Sequence, residues 1–150
     1  NILGKVTRTL PTILDYRNHI KEASMLNTPP VFAVYVAMLT LRWLKNKGGV
    51  TAIEKLNDAK AKLFYDTLDS LPVFKGPVAK EDRSKMNAVF VMEDAALEKE
   101  FAELCKQEGM YGIKGHRSVG GFRVSMYNAL TIESVTVLTD LMKDFAQRRG

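Results

Sequence analysis

Apolar and polar positions divide the chain into stretches with different rhythms. Up to Thr28 there is no sustained period: Pro11, Thr12 and Asp15 interrupt the apolar residues, and Arg17, Lys21 and Glu22 scatter charge among them. This reads as extended or irregular chain leading into something else. The pattern changes at Asn27-Thr28-Pro29-Pro30, because proline tolerates the first turn of a helix but not its interior. Val31 to Leu44 is then almost wholly apolar, with Thr40 and Arg42 as exceptions. The reading is a helix covered on most sides, too short and interrupted to span a bilayer. It fits a central core helix, or equally one shared between a core and a subunit interface.

Gly48-Gly49 ends that helix, and Ile53, Leu56, Leu63, Phe64, Leu68 and Leu71 recur at the spacing of a second one, whose polar face is expected to be solvated. Pro72, Gly76 and Pro77 close it around a short strand over 73–78, and Val89-Phe90-Val91 predicts another over 86–92. Asp94 is placed to cap a third helix, with Leu97, Phe101, Leu104 and Cys105 on one face and Gly109 as its stop. Further strands are predicted over 111–114 and 122–127. A last helix over 131–149 turns Val135, Leu138, Leu141, Met142 and Phe145 inward, with Arg148 and Arg149 at the favourable end of its dipole.

The order helix, helix, strand, strand, helix, strand, strand, helix predicts an α/β chain in an α+β arrangement, with a small mixed or antiparallel sheet covered by helices. There is no internal repeat. At 150 residues, 46% of them hydrophobic, the chain can bury a core without covalent staples.

Composition removes several functional classes. The one cysteine, Cys105, excludes an internal disulfide framework and reads as inert core. His19, His116 and Cys105 are too scattered for a zinc or iron-sulfur spacing, so no metal site is expected. Lys+Arg 22 against Asp+Glu 17 leaves a net charge of +5, but the basic residues interleave with acidic ones, so neither nucleic acid nor membrane is expected as a partner. No charged-then-apolar leader is seen, and the expected location is cytoplasmic.

The informative chemistry lies in Gly115-His116-Arg117-Ser118-Val119-Gly120-Gly121-Phe122-Arg123-Val124-Ser125-Met126-Tyr127-Asn128. Three glycines in seven residues permit tight turns and close approach of a ligand to the main chain. His116, Arg117 and Arg123 offer charge-assisted hydrogen bonds to carboxylate or phosphate oxygens. Phe122, Val124 and Met126 alternate with Arg123, Ser125 and Tyr127, so burying the apolar set turns Arg123 to the opposite face. A surface arginine beside a turn-rich loop would share that composition. The glycines do not match a dinucleotide or P-loop fingerprint, and His with Ser but no positioned acid makes no hydrolase triad. Asn27 and Thr28 at a helix entrance serve either as simple caps or as part of an anion site.

Ser24 to Pro30, Trp43-Leu44-Lys45 before Gly48-Gly49, Arg83-Ser84-Lys85-Met86-Asn87, and Lys114 to Gly121, followed by Tyr127-Asn128-Ala129 and Met142-Lys143-Asp144-Phe145, together resemble the phosphoserine aminotransferase family along the whole chain. The resemblance is to the C-terminal part of that family, homodimers of the fold-type I class that use pyridoxal 5'-phosphate. It implies that residues 1–30 end a large cofactor domain and its connection, and that residues 31–150 form the C-terminal small domain with its linking helix. It also implies amino transfer between glutamate and 3-phosphohydroxypyruvate in serine biosynthesis. Arg123 would hold the substrate α-carboxylate, and His116 and Arg117 the distal phosphate or γ-carboxylate. Asn27 and Thr28 would reach the cofactor phosphate of the neighbouring subunit. No residue aligns with the family's cofactor-bearing lysine, so no catalytic residue is assigned and the segment alone is expected to be inactive. The alternatives are a noncatalytic anion-binding or dimerising module with the same fold, or another fold-type I enzyme, which His116-Arg117 with Gly120-Gly121 disfavours.

Overall fold

The computed structural model describes residues 3–149; Asn1 and Gly150, the outer ends of the two expected regions, lie outside the described residues. The chain divides into two compact units, one ending at Trp43 and the other starting at Leu44.

The first unit is more ordered than its sequence suggests. A single turn at Thr12–Leu14 leads into helix α1, Tyr16–Lys21. Asp15 caps α1 by accepting from the Arg17 backbone N–H at 3.0 Å, and the Arg17 guanidinium closes on the same carboxylate at 2.7 Å. The Asn18 amide donates to the Thr12 carbonyl, and a His19 ring nitrogen lies 2.7 Å from the Ile13 carbonyl. Local polar bonds, not an apolar period, make this helix. It ends through Ala23 and Ser24 at positive φ, 49° and 66°, with the Ser24 N–H donating to the His19 carbonyl at 2.7 Å.

Helix α2 spans Val31–Asn46, and the Pro30 carbonyl accepts from the Val34 N–H. The expectation that it is covered on most sides is not met among the described residues. None of its residues is buried, and Phe32 keeps 80% of its surface. An apolar sequence records what a helix can bury, not what lies against it.

The second unit holds α3 (Gly49–Ser70), β1 (Asn87–Phe90), α4 (Ala95–Gln107), β2 (Phe122–Ser125) and α5 (Ile132–Arg149). The two strands pair antiparallel, with Phe90 opposite Phe122 and Asn87 opposite Ser125. The expected strands over 73–78 and 111–114 reduce to single bridges, Lys75 with Val91 and Lys114 with Phe122. Each forms only where its chain crosses a strand end. Asp94 caps α4 as expected, accepting from the Ala96 and Leu97 N–H groups.

A two-stranded sheet is at best marginal alone, so it needs an apolar face to rest on. That face is built from Phe64, Phe74, Phe90, Phe101, Phe122 and Phe145, all buried. The Phe90 and Phe122 rings stack at 4.7 Å, while Phe101 meets Phe122 and Phe145 edge-on at 5.4 and 5.2 Å. Val135, Leu138 and Met142 of α5 complete the core. Cys105 is fully buried, and burial pushes its thiol pKa up to about 11, which keeps it protonated and inert.

Helix α3 departs from its expected two-faced form. Ile53, Phe64 and Leu68 point inward, but Leu56 is half exposed while Asn57, Lys60 and Thr67 are buried. Its polar side is therefore not simply solvated. The buried donors find acceptors, although Asn57 Oδ1 has no hydrogen-bond partner among the described residues: the Lys60 ammonium donates to the carbonyls of Met126, Tyr127 and Leu130 at 2.9 to 3.0 Å. The Asn57 amide donates to Asn128 Oδ1 at 2.8 Å, and the Thr67 hydroxyl to the Leu63 carbonyl.

The segment before β1 is tied to α3 by Arg83. Its guanidinium donates to both oxygens of Asp69, at 2.9 and 2.8 Å, and lies 4.8 Å from the Tyr65 ring centroid. The Tyr65 hydroxyl donates to the Ser84 carbonyl. The Arg83 guanidinium, with the Lys80 ammonium 3.0 Å from the same carboxylate, lowers the pKa of the Asp69 carboxyl to about 2 from its ordinary value of 3.8.

Two outcomes follow. Phe101→Ala should lower unfolding free energy in urea by about 3–5 kcal/mol, because it empties the centre of the ring cluster. Because the folded pKa of Asp69 is depressed, its stabilisation is present above 3.8 and fades as pH falls toward 2. Asp69→Asn should flatten that part of the acid limb of stability against pH, measured as the urea midpoint.

Candidate functional site

Glycine makes the 113–123 hairpin possible. The Gly115 N–H donates to the Gly121 carbonyl at 2.8 Å, and the Arg123 N–H to the Ile113 carbonyl at 2.7 Å. A Cβ on Gly115 would collide with the Gly120 carbonyl oxygen. Gly121 has φ 64°, and a Cβ there would lie 2.7 Å from the Phe90 carbonyl oxygen. Between them, the Val119 and Gly120 N–H groups both donate to the His116 carbonyl, which closes a tight loop. His116 Nδ1 lies 2.7 Å from the Ser118 hydroxyl and accepts from the Ser118 backbone N–H at 3.3 Å. In the neutral ring this leaves the proton on Nε2, available to an anion.

Strand β2 carries out the predicted alternation. Phe122, Val124 and Met126 are buried, while Arg123, Ser125 and Tyr127 are exposed. Arginine exposure alone says little, but pairing says more. Arg17, Arg83 and Arg149 are each engaged by a carboxylate, whereas Arg8, Arg42, Arg117, Arg123 and Arg148 have no ion-pair partner among the described residues, and of these only Arg117 and Arg123 lie on the hairpin. Two exposed guanidiniums left unpaired on a tightly constrained hairpin form an electrostatic opening for an anion.

The structure does not bring the predicted cations into one hollow. His116 and Arg117 line a cleft of about 710 Å³ between the hairpin and α4, where Lys99 and Lys106 face them with Glu98 and Glu103. Arg123 lines a second cleft, about 530 Å³, with Ser125, Ser134 and the start of α5. The segment from Met110 to Ile113 is a wall of both. Sequence order made the residues look like a single cluster; the alternation of β2 and the hairpin geometry give them separate exits.

Asn27 and Thr28 belong to the first unit. Both are exposed, and neither side chain hydrogen-bonds to a described residue. Simple capping of α2 therefore does not account for them, and their donors remain available. Lys60 and Asn57 were not singled out from sequence, although both fall on the stripe of Ile53, Phe64 and Leu68. A polar residue at an inward position was the missed signal. Among the described residues there is no group of three His, Cys, Asp or Glu side chains able to hold a metal, and no helix is long and apolar enough to cross a membrane.

Comparison with known proteins supplies the context for this hairpin. The family described as aminotransferase class-V matches residues 3–138. The chain is 58% identical over 147 residues to the phosphoserine aminotransferase of Porphyromonas gingivalis, covering 97% of this chain and 41% of that protein. It is 57% identical over 142 residues to the same enzyme of Flavobacterium johnsoniae, covering 95% and 40%. The solved phosphoserine aminotransferase of Bacillus circulans subsp. alkalophilus superposes with a TM-score of 0.85 at 42% identity, over 94% of this chain and 39% of that one. A phosphoserine aminotransferase from Trichomonas vaginalis with pyridoxal phosphate bound gives 0.79 at 40% identity, over 92% and 40%. The chain thus spans about two fifths of the length of the curated relatives it matches. With a matched family covering most of its length and solved relatives reproducing its fold, the chain belongs to the class-V aminotransferases.

Proposed function

We propose that this chain is the C-terminal part of a phosphoserine aminotransferase, which transfers an amino group between glutamate and 3-phosphohydroxypyruvate in serine biosynthesis. The observation that carries the reading is the pair of unpaired arginines, Arg117 and Arg123, leaving a glycine-constrained hairpin on either side of the 110–113 segment. Both substrates are double-headed anions. Each needs a cation for the α-carboxylate and donors for the group at its far end.

In this reading Arg123 holds the α-carboxylate through its planar guanidinium. Arg117 and the Nε2–H of His116 take the distal phosphate or γ-carboxylate. Orientation is the chain's contribution to rate: fixing both heads of the substrate converts part of the encounter into a positioned, near-unimolecular step. Residues 1–30 complete a large cofactor domain, residues 31–150 form the small domain, and two subunits assemble as a cytoplasmic homodimer.

The free donors of Asn27 and Thr28 fit an anionic phosphate, since they are exposed and no described residue engages them. They would hold the phosphate of pyridoxal 5'-phosphate belonging to the neighbouring subunit. When bound, that cofactor supplies the electron sink and carries the amino group between the two substrates. The chain's residues bind and orient; no catalytic residue is assigned within it.

Calorimetry with phosphoserine tests the site. Arg123→Ala should weaken binding about tenfold or more, the size expected for losing a charge-assisted contact, with circular dichroism unchanged. Native affinity in that variant would remove Arg123 as the carboxylate anchor. A turnover assay with glutamate and 3-phosphohydroxypyruvate should show no activity from the 150-residue chain alone; substantial cofactor-dependent turnover would contradict the assignment of the cofactor-bearing lysine elsewhere. Phosphoserine binding without turnover in any longer form would favour a noncatalytic anion-binding module.

A further inference from the structure

Lys60 is the buried cation that the proposed reaction leaves unused. It retains 1% of its surface, lies on α3, and has no carboxylate partner among the described residues. Its three ammonium protons meet three carbonyls, those of Met126 at 3.0 Å, Tyr127 at 2.9 Å and Leu130 at 3.0 Å. Three carbonyls converging on one point repel each other unless a donor lies between them, and the ammonium supplies as many donors as there are acceptors.

The turn gripped in this way is the end of β2. Met126 is held from both sides, since its N–H donates to the Met86 carbonyl at 2.7 Å while its carbonyl accepts from Lys60. Asn57, one helical turn before Lys60, holds Asn128 in the same turn. At the other end of β2, the Arg123 N–H is tied to Ile113. Arg123 therefore stands between two anchors, one made by the hairpin and one by α3. A one-residue slip of a strand reverses its faces, so the anchor that fixes Met126 inward also fixes Arg123 outward.

We propose that Lys60 is a positioning residue for substrate recognition, fixing the C-terminal end of β2 so that Arg123 presents its guanidinium to the substrate α-carboxylate. The inference rests on the assignment of Arg123 made above. It separates the two heads of the substrate, because Lys60 grips the end of the strand that carries Arg123 and makes no hydrogen bond to the loop that carries His116 and Arg117.

The test uses the chain with phosphoserine and with inorganic phosphate, followed by NMR at the Nε–H resonances of Arg117 and Arg123. Lys60→Met should weaken phosphoserine about tenfold, the loss of one charge-assisted bond, and broaden or shift the Arg123 resonance. Phosphate binding at Arg117 should stay at its native strength. Adding Lys60→Met to Arg123→Ala should weaken phosphoserine no further. Native phosphoserine affinity in a folded Lys60→Met chain, or equal weakening of both ligands, would overturn the inference. Should Lys60→Met fail to fold, Asn57→Ala loosens the same turn more gently. It should weaken phosphoserine by a smaller factor and leave phosphate alone; no change in phosphoserine would overturn the inference. If Arg123→Ala itself binds normally, the assignment of Arg123 falls and takes this one with it, whereas loss in Arg123→Ala beside native binding in Lys60→Met removes Lys60 only.

Discussion

Burial of one face of a two-stranded sheet governs the arrangement. Phe90 and Phe122 are paired across the strands and stack ring on ring beneath α4 and α5, so β2 has no freedom to present either side to solvent. Once Phe122, Val124 and Met126 are committed to the core, Arg123 must face outward. The hairpin before β2 inherits the same constraint. Gly121 passes so close to the Phe90 carbonyl that no side chain fits, and the C-terminal foot of the loop bearing His116 and Arg117 is thereby held against the end of β1. The outward placement of Arg123 is a by-product of how the phenylalanines pack.

Charge is distributed by the same logic. Arg83 is spent on Asp69 and Tyr65, where it anchors the segment entering β1, and Lys60 is spent on backbone carbonyls. Burying an ammonium without a carboxylate is costly unless its donors are all used, and the three carbonyls at the end of β2 use them. Burial lowers the Lys60 pKa, in keeping with a site that solvates the charge with dipoles alone. Arg117 and Arg123 are left uncommitted, as are Arg8, Arg42 and Arg148, and what sets the two apart is their place on the glycine-constrained hairpin.

Much of the fold was legible in the sequence where cause and effect are local. Asp94 caps α4 because its carboxylate needs only the next turn of backbone, and β2 alternates because one strand can reveal its own period. Legibility stops where the partner is distant. Lys60 looks like a solvated helix residue until the 126–130 turn arrives from 66 or more positions away. The single bridges at Lys75 and Lys114 need neighbouring strand ends that periodicity does not encode. Of the site, residue types and hairpin glycines could be read directly. The division of His116 and Arg117 from Arg123 into two clefts could not, since it depends on the path of 110–113 between them.

Cys105 gives the core a further property. Its thiol is sealed among the rings and held in the protonated form, so a thiol-directed reagent can reach it only when α4 lifts from the core. As the chain's sole cysteine, it turns alkylation rate into a clock for that opening. The second unit thus carries an internal gauge of its own breathing, separate from any ligand it holds.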